Sequence, residues 1–161
     1  MKKGMLAMFL AAMYLGADAQ TTPGRFSVGV EAGVPVGENG KPYAYVLGGN
    51  LQYEMKPDTD LGITFNAGYS NFRFKESFGG GSVGFVSAMA GVKYYFTPAV
   101  FAHAQLGAAI GTAEGQGTSF AYSPGVGFNL SPKVDATLKY TGISNKAGSL
   151  DNVGLRLAYN F

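Results

Sequence analysis

One stretch constrains the fold more than any other: Asn152-Val-Gly-Leu-Arg-Leu-Ala-Tyr-Asn-Phe161. Val153, Leu155, Leu157, Tyr159 and Phe161 share one parity, and Asn152, Gly154, Arg156, Ala158 and Asn160 the other. A period of two sends alternate side chains to opposite faces of a strand. One face is therefore wholly apolar and ends in aromatics, while the other is small or polar and holds a single cation.

The rest of the chain repeats this design. Phe26 to Val34 alternates in the same way, and Pro35 to Pro42 breaks the pattern as a loop. Tyr43 to Met55 is a second strand, followed by the turn Lys56-Pro57-Asp58-Thr59-Asp60. Leu61 to Ser70 is a third, and Asn71 to Gly84, with Gly79-Gly80-Gly81-Ser82, is expected to be the longest loop. Val86 to Phe96 and Val100 to Ile110 flank the turn at Thr97-Pro98. Gly111 to Thr118 reads as another Gly-rich loop. Phe120 to Leu130 and Val134 to Thr141 flank Ser131-Pro132-Lys133, and Gly142 to Asp151 is expected to loop back to the final strand. Pro57, Pro98 and Pro132 fall in the short turns, where a missing N–H costs no ladder bond. Pro124 lies inside strand six and predicts a bulge or an early strand end there.

About eight strands of roughly 9–11 residues, joined alternately by short and long connections, match a transmembrane β-barrel. A soluble sandwich or barrel also has one apolar face, so the opposite face must decide. Here it holds mostly Gly, Ala, Ser, Thr and Asn, with charged residues only 14% of a chain that is 47% hydrophobic. Such residues suit the packed lumen of a narrow barrel better than a water-facing surface. The aromatics also fall in two bands, as in membrane girdles. Tyr43, Tyr45, Tyr69, Phe120, Tyr122 and Tyr140 lie near the long-loop ends, and Phe26, Tyr53, Tyr94, Phe96, Phe128, Tyr159 and Phe161 near the short-turn ends.

The N-terminus reads as a secretory signal over residues 1–19, leaving a barrel domain at 20–161. Lys2 and Lys3 form the basic segment, Met5 to Leu15 the apolar one, and Ala17-Asp18-Ala19 the cleavage site before Gln20. The apolar run is too short to span ~30 Å as a helix. An exported chain is free to use disulfides, yet Cys is 0. Net charge +2, with Lys and Arg scattered, argues against nucleic acid as a partner.

With these features in view, the chain from residue 20 onward resembles small eight-stranded antiparallel up-and-down outer-membrane β-barrels of the OmpA/OmpX-like class. The resemblance rests on distributed alternation and on the ending Gly154-x-x-Leu157-x-Tyr159-x-Phe161. It implies location in a bacterial outer membrane and recognition of Gly154, Leu157, Tyr159 and Phe161 by the outer-membrane assembly machinery. It also implies contact with outer-membrane lipids and lipopolysaccharide. The sequence stops with the barrel, so cell-wall tethering through a soluble peptidoglycan-binding domain is not expected.

Charges on the lumen face need partners. Glu31, Lys139 and Arg156 lie at comparable heights when strand positions are counted from the short-turn ends. Strands one and eight must meet to close the sheet, so a Glu31–Arg156 pair is expected, with Lys139 as the next member. Glu54, Lys93, His103 and Asp135 lie lower and form a second polar layer. Rearranged ion pairs would gate a narrow path, while a fully satisfied network would plug the lumen, and the small diameter favours the plug.

His103 is the only histidine. Lipid A deacylases and palmitoyltransferases share this barrel size, but the deacylase pattern of His and Ser two apart is not met, since Gln105 holds that position. Gly79-Gly80-Gly81 lacks the lysine and helix of a phosphate loop. No His, Cys or acidic cluster has metal-ligand spacing, and no cofactor is expected. The expected protein is a monomeric, non-enzymatic barrel with a structural or surface-interaction role. A narrow pore is the alternative, and a lipid-modifying enzyme the third. Deleting Phe161 should reduce membrane insertion severalfold, measured by heat-modifiable migration of the membrane fraction; normal insertion would remove the assembly role.

Overall fold

The computed structural model describes residues 24–113, 115–146 and 148–161. The proposed signal at residues 1–19 lies outside them. Eight strands follow in chain order: β1 Arg25–Val36, β2 Tyr43–Met55, β3 Leu61–Phe74, β4 Ser82–Tyr95, β5 Val100–Gly111, β6 Thr118–Ser131, β7 Val134–Asn145 and β8 Gly148–Asn160. A short 3-10 turn at Glu76–Phe78 separates β3 from β4. Every strand pairs antiparallel with its sequence neighbours, and β1 pairs with β8 to close the barrel. The architecture is therefore the all-β, eight-stranded up-and-down barrel that the alternation predicts.

The register fixes the strand slope. Stepping across partners from Phe26 to Tyr53, Phe65, Ala90, Leu106, Tyr122, Gly142 and Asp151 returns to β1 at Val36, ten residues further on. A shear of this size over eight strands, at ~3.3 Å rise and ~4.8 Å spacing, tilts the strands roughly 41°. A strand of 13 residues, such as β2, then rises roughly 32 Å, several ångströms more than the ~25 Å apolar band of such barrels. The excess projects on the side of the β1–β2, β3–β4, β5–β6 and β7–β8 connections, the extracellular side of a barrel with this topology.

That projection corrects two of the expected loops. Residues 71–84 do not form a long loop: β3 continues to Phe74 and β4 begins at Ser82. Nor do residues 142–151, because β7 runs to Asn145 and β8 starts at Gly148. The reason is a change of solvent. Along β3 the outward residues are apolar from Leu61 to Tyr69 and then become Asn71 and Arg73, while the inward ones change from Thr64, Asn66 and Ser70 to Phe72 and Phe74. Water replaces lipid outside the upper strands, so the apolar parity moves to the lumen. Ser82 and Gly84 against Val83 and Phe85 on β4 show the same inversion, as do Ser149 and Asp151 against Leu150 on β8.

Two bulges depart from regular pairing. One lies between Tyr43 and Tyr45, and turns Tyr43 inward, where it packs on Phe72 and stacks on Phe74 at 4.4 Å between ring centroids. Tyr43 is thus removed from the expected outer girdle. The second falls between Asn129 and Ser131. The irregularity expected at Pro124 takes neither form: β6 runs through it, and Tyr122↔Gly142 and Gly125↔Lys139 share one register. Pro124 costs only local ladder pairing.

The outer surface matches a lipid environment. Val30, Leu51, Leu106 and Leu155 expose aliphatic side chains between aromatic ends. The lower band includes Phe26 against Tyr53, Tyr94 against Phe96, and Tyr159 against Phe161. The upper band retains Tyr45, Tyr69 and Phe120, with Tyr122 between Phe120 and Tyr140.

Inside the upper barrel, Val46, Phe72, Phe85, Met89, Ala109, Ala121 and Ile143 form one apolar cluster. Phe72 is 0% exposed there. Phe72→Ala should lower unfolding stability by about 3–5 kcal/mol through lost burial and a residual cavity. Arg73→Ala, one residue along but outward and exposed, should change it by only about 0.5 kcal/mol. Equilibrium urea unfolding in lipid vesicles compares the two.

Candidate functional site

The lumen below the apolar cluster holds the residues that carry chemistry. Parity places them there: Glu31 on β1, Glu54 on β2, Lys93 on β4, His103 on β5, Asp135 and Lys139 on β7, and Arg156 on β8 all project inward from different strands. Three clusters result.

The lowest is centred on Glu54. Its carboxylate accepts from Lys93 Nζ at 3.0 Å and from the Tyr95 hydroxyl, and Arg25 Nη2 lies 3.5 Å away at the barrel mouth. Lys93 also sits over the Phe101 ring, 4.5 Å from its centroid. Phe101 in turn covers Gly127, where an added Cβ would come within 2.2 Å of the ring. This glycine is needed because the ring occupies the place of its side chain.

The second cluster is uncharged. His103 Nε2 and Thr64 Oγ1 are 3.1 Å apart, and Gln105 donates to Gln52 at 3.4 Å. His103 is buried and faces the lumen. Lys93 is its register partner, so among the described residues this neighbourhood offers it a cation and a hydroxyl.

The third cluster contains the expected closing pair, with different partners. Glu31 and Arg156 are register neighbours across the β1–β8 seam. Yet Arg156 Nη1 binds Asp135 at 3.2 Å, Nε donates to Asn50 Oδ1 at 2.8 Å, and Nη2 donates to Ser27 at 3.0 Å. Glu31 instead accepts from Lys139 Nζ at 2.6 Å and from the Asn50 amide. Asp135 also accepts from Asn160 at 2.9 Å, so it belongs with Arg156 and not with Glu54. Counting heights along each strand omitted the shear, which carries register partners up the barrel wall and lets long side chains reach diagonally. The Arg156 guanidinium lies over Gly29, where a Cβ would come within 2.6 Å of Nε.

Sequence reasoning missed Asn50, Tyr95, Arg25, Thr64 and Gln52. Asn50 matters most, since its amide donates to Glu31 while its carbonyl accepts from Arg156. The available signal was its inward parity and the fact that an amide offers both a donor and an acceptor.

Charges balance within the network. Glu31, Glu54 and Asp135 meet Lys139, Lys93 and Arg156 respectively, with Arg25 added at the mouth. Removing one member of such a buried pair strands its partner. Between the network and the apolar cluster lies a cavity of ≈ 40 Å³, bordered by Glu31, Asn66, Lys139 and Asn152 below and by Val46, Met89 and Ile143 above. Its size and polar lower border suit a few water molecules. Among the described residues, no group of three or more His, Cys, Asp or Glu could hold a metal ion.

Arg156→Ala should cost about 3–5 kcal/mol by leaving Asp135 buried and unpaired. A double-mutant cycle should give a larger coupling for Arg156 with Asp135 than with Glu31. Equal couplings would return Glu31 to the role of direct partner.

The outer membrane protein beta-barrel domain model matches residues 5–161. Comparison with curated proteins gives no match. Among solved structures, the Yersinia pestis outer membrane protein Ail in a phospholipid nanodisc is similar at 25% identity and a TM-score of 0.64, covering 86% of this chain and 100% of its own. Ail in complex with the heparin analogue sucrose octasulfate is similar at 25% identity and a TM-score of 0.61, covering 87% and 100%. The N-terminal barrel of Pseudomonas aeruginosa OprF, at 18% identity and a TM-score of 0.60, covers 86% and 100% and shares the fold. A closed barrel with a lipid-matched exterior, together with the family match over nearly the whole sequence, makes this chain a member of the outer membrane protein beta-barrel domain family.

Proposed function

We propose that this protein is a closed, non-enzymatic monomer of the outer membrane that acts through its extracellular surface. The observation that carries this reading is the double filling of the lumen. Charged groups are mutually paired in the lower half, and an apolar cluster lies across the upper half. An ion crossing the barrel would need to break the first and desolvate against the second, and both are costly.

The non-enzymatic reading is supported by the position of His103, turned into the lumen against Thr64 and away from lipid. Export by a cleavable signal at residues 1–19 and handling by the outer-membrane assembly machinery through Phe161 are part of the same proposal. Lipopolysaccharide contact is supported by Arg73, exposed on the outer face of β3 above the Tyr69 band, and by exposed Lys41, Lys75 and Lys146 at the same end. Surface interaction is also the mode consistent with Ail, which forms a complex with the heparin analogue sucrose octasulfate.

Planar-bilayer recording provides the test. The purified protein, Glu31→Ala and Arg156→Ala should all give negligible unitary current, whereas regular steps altered by Glu31→Ala would replace the plug with a gated pore. In cells, His103→Ala should leave the lipid A profile unchanged; a changed profile would favour catalysis.

A further inference from the structure

The extracellular mouth contains a second concavity, separate from the paired charges. It measures ≈ 180 Å³ and opens outward between the start of β2 and the β7–β8 hairpin. Tyr43, Phe85 and Ile143 supply an apolar floor and wall. Asn39, Asn145, Ser119 and Ser149 supply the polar border. From these features we infer that the mouth binds one neutral sugar ring, the terminal pyranose of a glycan.

Three properties select that chemistry. First, none of the lining side chains among the described residues is charged, so neither a phosphate nor a sulfate finds a cation in the lining. Second, the border consists of two amides and the Ser119 hydroxyl, each able both to donate and to accept, with the Ser149 backbone beside them. Hydroxyl groups of a sugar make the same double demand. Third, Tyr43 and Phe85 bring aromatic surface to the wall, against which the C–H side of a pyranose can pack. The volume lies below the roughly 300–1,000 Å³ of sites for drug-sized ligands, which limits the occupant to about one ring.

The border is also preorganised. Asn39 Nδ2 donates to the Ser149 carbonyl at 2.9 Å, tying the β1–β2 loop to β8, and Asn145 Nδ2 donates to Ser119 Oγ at 3.1 Å, tying β7 to β6. Ser149 Oγ is itself held by Asp151. Tyr43 is fixed by its stack on Phe74 and its edge contact with Phe72. Ordering these groups before binding reduces what a weak ligand must supply. The inward turn of Tyr43 at the β2 bulge thus has a use beyond filling space.

This inference deepens the surface-interaction reading and rests on it, but the sugar experiment can fail while the conductance result stands. The ¹⁵N-labelled barrel in phosphocholine micelles, free of glycoside detergent, is titrated with methyl glucoside, methyl galactoside and N-acetylglucosamine. At least one sugar should give saturable, millimolar-range shifts confined to the Asn39 and Asn145 side-chain amides and the Gly148–Leu150 backbone. Tyr43→Ala should weaken that binding at least tenfold. Asn39→Ala, an exposed loop change, should weaken it severalfold and keeps the test decisive where Tyr43→Ala does not fold. Sucrose octasulfate should leave these resonances unmoved. No saturable shift with any of the three sugars, undiminished shifts in Asn39→Ala, or equal shifts with the sulfated sugar would each overturn the proposal. In nanodiscs containing lipopolysaccharide, the same shifts without added sugar would support the membrane's own saccharide as the source; shifts only on adding sugar would support a free glycan.

Discussion

A sheet in lipid has no water to satisfy its edges, and closure across β1 and β8 is the constraint on which this molecule depends. Each unpaired backbone N–H or C=O in hydrocarbon costs several kcal/mol. The ladder from Ser27↔Asn160 to Val36↔Asp151 removes both edges at once. Closing eight strands with a shear of ten residues then determines the tilt, the diameter and the small volume left inside. The contents of the lumen follow from that geometry. So does the reach of Arg156 to Asp135 and of Lys139 to Glu31, each diagonal to the register.

The barrel is amphipathic in two directions. Within the lipid band its outward residues are apolar and its inward ones polar. Above the band both assignments reverse on β3, β4 and β8, as Tyr69 followed by Asn71 and Arg73 illustrates on the outside of β3. The reversal gives the molecule a conventional hydrophobic core around Phe72 and Phe85 above a buried ionic layer. Hydrophobic burial from water stabilises the first, and mutual pairing removes the cost of the second. The two layers meet at the small cavity beside Glu31 and Lys139.

Much of this was legible in the residues. Parity alone located every strand, because any error of one residue would have exposed polar groups to lipid. It also sent the seven charged or titratable lumen residues inward. Strand ends were less legible: Asn71, Ser82, Gly84, Gly142 and Ser149 have loop composition, yet they continue the sheet on its outer face. Their inward neighbours Phe72, Val83, Ile143 and Leu150 carried the signal, in the opposite phase to the strand below.

Residue order alone sets the architecture, the lipid-facing surface and the set of groups that share the lumen, because a period of two assigns each side chain to a face independently of its distant partners. Which groups meet is settled by the closed sheet. Glu31 and Arg156 are adjacent across the seam but are joined through Asn50, since the tilt of the strands makes the favourable contacts diagonal. The bulge beside Tyr43 likewise needed the register with β3, because its sequence alternates without a break while its backbone does not. Face is a local property of a strand; partnership depends on how the whole sheet closes.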